Sequence, residues 1–223
     1  MKRSTVNGLI REAESTFARH GVVLPPWTRW SPAEWRNHPA EARFCAAHQM
    51  GWDITDFGSE RFSERGLLLL CARNGLLGQP GERVYAEKIM IVREEQETPF
   101  HRHLVKVEDI IVRGGGTLAL ELFNVGPDGR ELDTTVEITV DASIRRLRPR
   151  EKLLLRPGES VTLVPGQMHR FWGEAGTGTV LVGEVSLVND DMIDNVFLEP
   201  VGRFAAIEED EPPLYPLWSE LAE

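Results

Sequence analysis

Thr98-Pro-Phe-His101-Arg-His103-Leu-Val-Lys106-Val-Glu108-Asp-Ile-Ile-Val-Arg-Gly-Gly-Gly116 decides the fold, together with Pro165-Gly166-Gln-Met-His169 downstream. Side chains alternate along an extended strand, so His101 and His103 share a face. The odd step to Glu108 cannot keep that face along an unbroken strand, and a turn or bulge must intervene before Glu108 rejoins the same cavity. Counted from Glu108, Lys106, Ile110 and Val112 lie on its own side, which sets an amine beside the carboxylate. Gly158 to His169 reads as a strand ending in a turn that delivers a third imidazole. An HxH pair alone describes two surface histidines equally well. The glycine stop at 114–116, Glu108 and His169 together point to a site. Three imidazoles and one carboxylate, with no thiolate, suit Mn, Fe, Co, Ni or Zn, and an octahedral ion would keep two adjacent positions open. Those positions serve either O₂ chemistry at Fe(II) or polarisation of a hydroxy-carbonyl compound at a redox-silent ion.

At 223 residues, with 41% hydrophobic and 27% charged content, the chain has the makings of one soluble globular domain with a large core. Its net charge of −10 argues against nucleic acid, whose phosphates call for clustered Lys and Arg. Part of that charge sits in Glu208-Glu209-Asp210-Glu211, which reads as a solvated tail or helix start. The longest apolar run, Leu67 to Ala72, is far too short to span a bilayer. The opening MKRSTVNGLIREAE lacks the apolar core and cleavage site of a signal peptide. Cytoplasm is the expectation, with Cys45 and Cys71 free and buried rather than paired.

The organisation reads as helices first and a barrel second. Ser4 is placed to cap a helix carrying Val6, Ile10, Ala13 and Phe17 at helical spacing, with Gly21 as its left-handed end. Ser31-Pro32-Ala33-Glu34 has the Ser, Pro and Glu of a capping box. Residues 41 to 57 read as a helix and a loop. From residue 66 the pattern is β: 66–73 ended by the turn dipeptide Asn74-Gly75, then 84–92, 98–103, 106–112, 117–123, 136–140, 160–164, 169–172 and 179–187. Eight to ten short strands of this kind describe a double-sheet jelly roll.

Lys88, Glu121 and Glu184 interrupt apolar strands, and such residues are almost never fully buried without partners. Glu121 is expected to face solvent and Lys106 the cavity, while Lys88 and Glu184 fit either place. A pocket of ammonium groups and carboxylates around a dication suits a polyhydroxylated substrate better than an apolar one.

The two histidine segments resemble the two motifs of the cupin superfamily, with Pro165 and Gly166 adjacent where the usual pattern has a residue between them. The resemblance implies a mainly β cupin jelly-roll barrel with His101, His103, Glu108 and His169 as metal ligands. Added to Tyr85–Met90, 98–116, Val188–Asn195 and Glu199-Pro-Val-Gly-Arg203-Phe, and to Leu24-Pro-Pro-Trp27, Ser31–Trp35 and Ile207–Pro212, it extends over almost the whole chain and is similar to the cupin-type D-lyxose isomerases. That family implies a manganese-dependent ketol-isomerase interconverting D-lyxose and D-xylulose, often with D-mannose and D-fructose, and usually a homodimer. Co²⁺, Ni²⁺, Zn²⁺ or Fe²⁺ would fit the same ligands. It also implies Glu199 as the base, Lys106 and Lys88 as partners of the sugar oxygens, and Arg203 as a group that orients Glu199 or binds sugar. Glu184, on its apolar strand, is read as a further substrate contact and as the alternative base to Glu199. The expected division is a helical extension over 1–65, the barrel over 66–204 and an acidic segment over 205–223. An Fe(II)-dependent cupin dioxygenase and a non-catalytic sugar-binding barrel are the rival readings.

Overall fold

The structure, a computed structural model, describes residues 1–188, 190 and 193–221. Helix α1 (Arg3–Arg19) buries Val6, Ile10, Ala13 and Phe17, as their spacing predicts, and Gly21 follows it at φ 70°. Ser4 is not its cap. The helix starts from Lys2 without a side-chain cap, and the Ser4 hydroxyl donates to Asp210 at 2.7 Å. The acidic run is therefore no free tail, because Glu209 also pairs with the buried Arg3, and Glu211 accepts from Asn7 at 2.6 Å. The capping box at α2 (Pro32–Arg36) forms as read, and α3 (Pro39–Ala47) follows.

The strands are β1 (Gly51–Thr55), β2 (Leu67–Arg73), β3 (Tyr85–Val92), β4 (Thr98–His103), β5 (Glu108–Gly115), β6 (Leu118–Val125), β7 (Glu131–Leu132), β8 (Val136–Val140), β9 (Ser143–Leu147), β10 (Leu153–Leu155), β11 (Ser160–Leu163), β12 (Gln167–Gly173), β13 (Val180–Leu187) and β14 (Asn195–Phe197). One sheet of eight runs β1-β2-β3-β13-β5-β11-β8-β9, and one of six runs β10-β6-β12-β4-β14 with β7 beside β6. Their inner faces enclose a core of Leu, Ile, Val, Met and Phe side chains, which is the jelly roll the sequence implied.

The expected loop before residue 57 contains β1, whose residues are all buried. A strand covered on both faces shows no polar alternation to betray it. Because β1 pairs with β2 along its whole length, residues 1–65 contribute an edge strand to the larger sheet as well as helices. Asn74-Gly75 does not make a two-residue hairpin. The β2–β3 connection runs from 74 to 84, Asn74 donates to the His48 carbonyl at 2.9 Å, and Gly75 lies so close to Arg83 O that a Cβ would sit 1.8 Å from it. Cys45 and Cys71 are free and buried, and burial pushes the Cys45 thiol up to about 11. Among the described residues no helix is long and apolar enough to cross a membrane.

Candidate functional site

The two sheets bring their titratable residues together between them. From the smaller sheet, β4 supplies His101 and His103, and β12 supplies His169, which stands opposite His101 in register. From the larger sheet, β5 supplies Glu108, β13 supplies Glu184, and Lys88 on β3 is the direct cross-strand partner of Glu184. The bend at 104–107 between β4 and β5 is the break in alternation that the odd His103-to-Glu108 step required. It lets two neighbouring strands of different sheets face one cavity.

One ligand atom from each of His101, His103, Glu108 and His169 lies within 4.8 Å of all the others, and all four residues are buried. Metal–nitrogen bonds of about 2.1 Å separate opposite ligands by roughly 4 Å, so the donor set has the dimensions of one ion. The ring orientations agree. His101 Nδ1 is 2.8 Å from Pro99 O, and His169 Nδ1 is 3.1 Å from Gln167 O. A carbonyl only accepts, so each Nδ1 carries the proton and each Nε2 presents its lone pair to the cluster. His169 Nε2 is buried, with no hydrogen-bond partner among the described residues. Asp194 Oδ2 lies 3.4 Å from His103 Nδ1, near enough to pair electrostatically but out of line for a hydrogen bond.

Burial would push the Glu108 carboxyl up, but the Lys106 ammonium and His103 hold it well below the usual carboxylate range. Burial, with His169 and His103 beside it, pushes His101 well below the ordinary imidazole value. Both shifts favour the protonation states that bind a cation.

Lys106, reached before β5 begins, turns inward as expected: Nζ lies 2.8 Å from Glu108 Oε2 and 3.0 Å from Glu184 Oε1. Lys88 Nζ lies 3.4 Å from the same Glu184 oxygen. The two sites left open by sequence thus both face the cavity, whereas Glu121 faces outward and pairs with Arg170 at 2.7 Å. Arg203 donates to Asp53 of β1 at 2.7 Å, and both line the cavity, an enclosure of about 660 Å³ including its mouth.

Glu199 is not brought to this cavity. Its side chain is 67% exposed, its nearest ion partner is Arg65 at 3.5 Å, and it borders a separate surface hollow with Glu97, Arg150 and Arg170. Two residues carried no role in the sequence reading. Asp53 sits in the strand taken for a loop. Asp194 accepts from the amides of Leu104, Val105 and Lys106 at 3.1, 2.8 and 3.3 Å and so fixes the bend. Asn189, Asp191 and Met192 of the Val188–Asn195 motif lie outside the described residues.

A model of the D-lyxose isomerase family matches residues 1–221. The chain belongs to the D-lyxose isomerase family. Family relatives include the D-lyxose/D-mannose isomerase of Serratia proteamaculans, 46% identical over 99% of this chain and 97% of that one. The D-lyxose/D-mannose isomerase of Escherichia coli O157:H7 is 45% identical over 99% of this chain and 98% of its own length. Among solved structures, an L-ribose isomerase of Acinetobacter sp. DL28 in complex with L-ribose superimposes with a TM-score of 0.64 at 15% identity, over 93% of this chain and 98% of the other. That likeness shows that this D-lyxose isomerase family member shares its fold.

Proposed function

We propose that this chain interconverts D-lyxose and D-xylulose, and D-mannose and D-fructose, with Mn²⁺ as the preferred ion held by His101, His103, Glu108 and His169. The observation that carries the reading is Glu184, a buried carboxylate beside that ligand cluster and between two ammonium groups. When bound, a divalent ion supplies Lewis-acid polarisation of neighbouring sugar oxygens.

The remaining work falls to the chain's own residues. Aldose–ketose exchange moves one proton between C2 and C1 of the open-chain sugar while another shifts between the two oxygens. Glu184 takes the C2 proton and returns it at C1, a role worth about 10²–10⁴-fold. The geometry thus favours Glu184 over Glu199 as the base. Lys106 and Lys88 balance Glu184 in the resting site and donate to the oxygens where negative charge grows in the enediol stage. The walls of Leu67, Leu69, Met90 and Phe171 exclude water from the reacting carbons. Arg203 and Asp53 hold each other at one side of the cavity and present polar groups to sugar hydroxyls.

A homodimer in the cytoplasm completes the proposal. Tyr85, Val185 and Leu187 of the larger sheet, with Val107 of the adjoining bend, expose neighbouring apolar surface, which suits a subunit contact. The test is turnover of metal-free and Mn²⁺-loaded protein with a panel of aldoses and ketoses under monitored O₂. Exchange of D-lyxose with D-xylulose that requires the ion and consumes no O₂ is expected. Oxygen uptake, or binding of sugar with no exchange, would replace this reading with one of the rivals.

A further inference from the structure

Thr98 opens β4 three residues before His101, and simple alternation would turn it away from the face that His101 and His103 share. The pairing with β12 undoes that. His169 stands opposite His101, while Phe171, two residues on, stands opposite Thr98, three residues back. The surplus residue is a β-bulge at Pro99-Phe100, where proline has no amide proton to give the ladder. The bulge returns Thr98 to the inner face, and it lines the cavity with His101, His103 and Glu184.

Thr98 is 3% exposed, and among the described residues its Oγ1 has no hydrogen-bond partner. A buried hydroxyl left without a hydrogen bond destabilises the fold. Valine would keep the β-branched shape that strands favour without that cost. The hydroxyl therefore matches a polar group carried by something that enters the cavity. Once the bulge is discounted, Thr98 lies two strand steps beyond His101, roughly 6–7 Å along the sheet. A pentose whose reacting carbons sit at the four-ligand cluster would bring its far end toward Thr98.

We propose that Thr98 Oγ1 is a specificity-determining group that hydrogen-bonds the C4 hydroxyl of the open-chain sugar, an inference that rests on the isomerase reading above. D-lyxose and L-ribose differ only at C4, so the group distinguishes them. Asp53 and Arg203 bound the same cavity, and Thr98 adds to them a hydroxyl that both donates and accepts.

Thr98→Val and Thr98→Ser test this in the Mn²⁺-loaded enzyme. The readouts are kcat/KM for D-lyxose, inhibition by L-ribose, calorimetric binding of D-arabinitol (the alcohol of D-lyxose, which cannot isomerise), bound metal and Tm. Thr98→Val is expected to keep metal and Tm and to lose about tenfold in D-arabinitol affinity and in kcat/KM, close to the 1.4 kcal/mol of one decade. Discrimination against L-ribose should shrink, and Thr98→Ser should recover to within about threefold. Unchanged kcat/KM and unchanged discrimination in Thr98→Val, with an active wild type, would overturn this inference alone. A lower Tm in Thr98→Val but not in Thr98→Ser would also overturn it, because the hydroxyl would then be holding the bulge. Thr98-dependent binding of D-arabinitol by a wild type that exchanges no sugar would instead remove the isomerase reading.

Discussion

The Lys106 ammonium donates to Glu184 at 3.0 Å across 78 residues of sequence, and 2.8 Å away on its other side stands Glu108. One buried cation thus bridges the carboxylate assigned to the metal and the one assigned to proton transfer. Removing it in Lys106→Met leaves both carboxylates under-compensated, and breaking a buried pair costs about 3–5 kcal/mol. Urea unfolding of the metal-free variant should show a loss of that order, and saturating Mn²⁺ should recover part of it, since the ion replaces the missing charge beside Glu108. Equal losses with and without metal would mean that Lys106 and the ion do not share Glu108.

His103→Ala should remove most bound metal and the activity with it. An ion that binds only the folded chain stabilises it by about 2.7 kcal/mol at a hundredfold excess over its Kd. Wild-type Tm should therefore climb with added Mn²⁺ while the variant's stays flat. Stoichiometric metal in His103→Ala, measured by elemental analysis, would end the ligand assignment.

Glu184→Gln keeps the side chain's shape without its basicity. Turnover should drop at least about 10²-fold, the usual size of a general-base effect, and exchange of the C2 deuterium with solvent should drop in parallel. Glu199→Gln, on an exposed side chain, should isomerise within a few-fold of wild type. The opposite pattern would restore Glu199 as the base.

Asp194→Ala deprives three bend amides of their shared acceptor. Hydrogen exchange at Val105 and Lys106 should quicken, while Leu104 keeps the Asp194 main-chain carbonyl at 3.1 Å as acceptor, with a stability loss of about 1.5–3 kcal/mol for hydrogen bonds to a charged group. KM for sugar should rise more than metal affinity falls, because Lys106 rides on the bend. Unaltered protection at Val105 and Lys106 would show that other contacts fix it.

Three residues of the four-ligand cluster, His101, His103 and Glu108, were legible because their constraints are local, while His169 was read from the turn that follows its own strand. Alternation placed His101 beside His103, and the odd step to Glu108 demanded the bend now seen at 104–107. Facing direction was harder to read. Lys88 and Glu184 fit inside or outside equally, because the outer faces of β3 and β13 carry apolar residues such as Tyr85, Ile89, Val185 and Leu187 and so no polar side sets the phase, while burial of every residue hid β1 and with it Asp53. The exposed arginines of β9 and the very short β7, β10 and β14 were passed over as connections. Parity was defeated at Thr98, because a bulge shifts every residue before it by one face and leaves only a proline as its trace. Glu199 drew notice from its motif, but which side of the barrel wall that motif occupies is a tertiary fact.

Arg3 pairs with Glu209 and Glu220 across 206 and 217 positions of chain. At synthesis rates of 5–20 residues per second, its guanidinium waits roughly 10–40 s on the ribosome before those carboxylates exist. During that interval Arg3 and Asn7 of α1 stay solvated, and the helix has only its apolar stripe to hold it to the growing sheet. The closing of this seam is then a late, long-range event, and it gives the nascent chain a timer set by translation rather than by the speed of its strands.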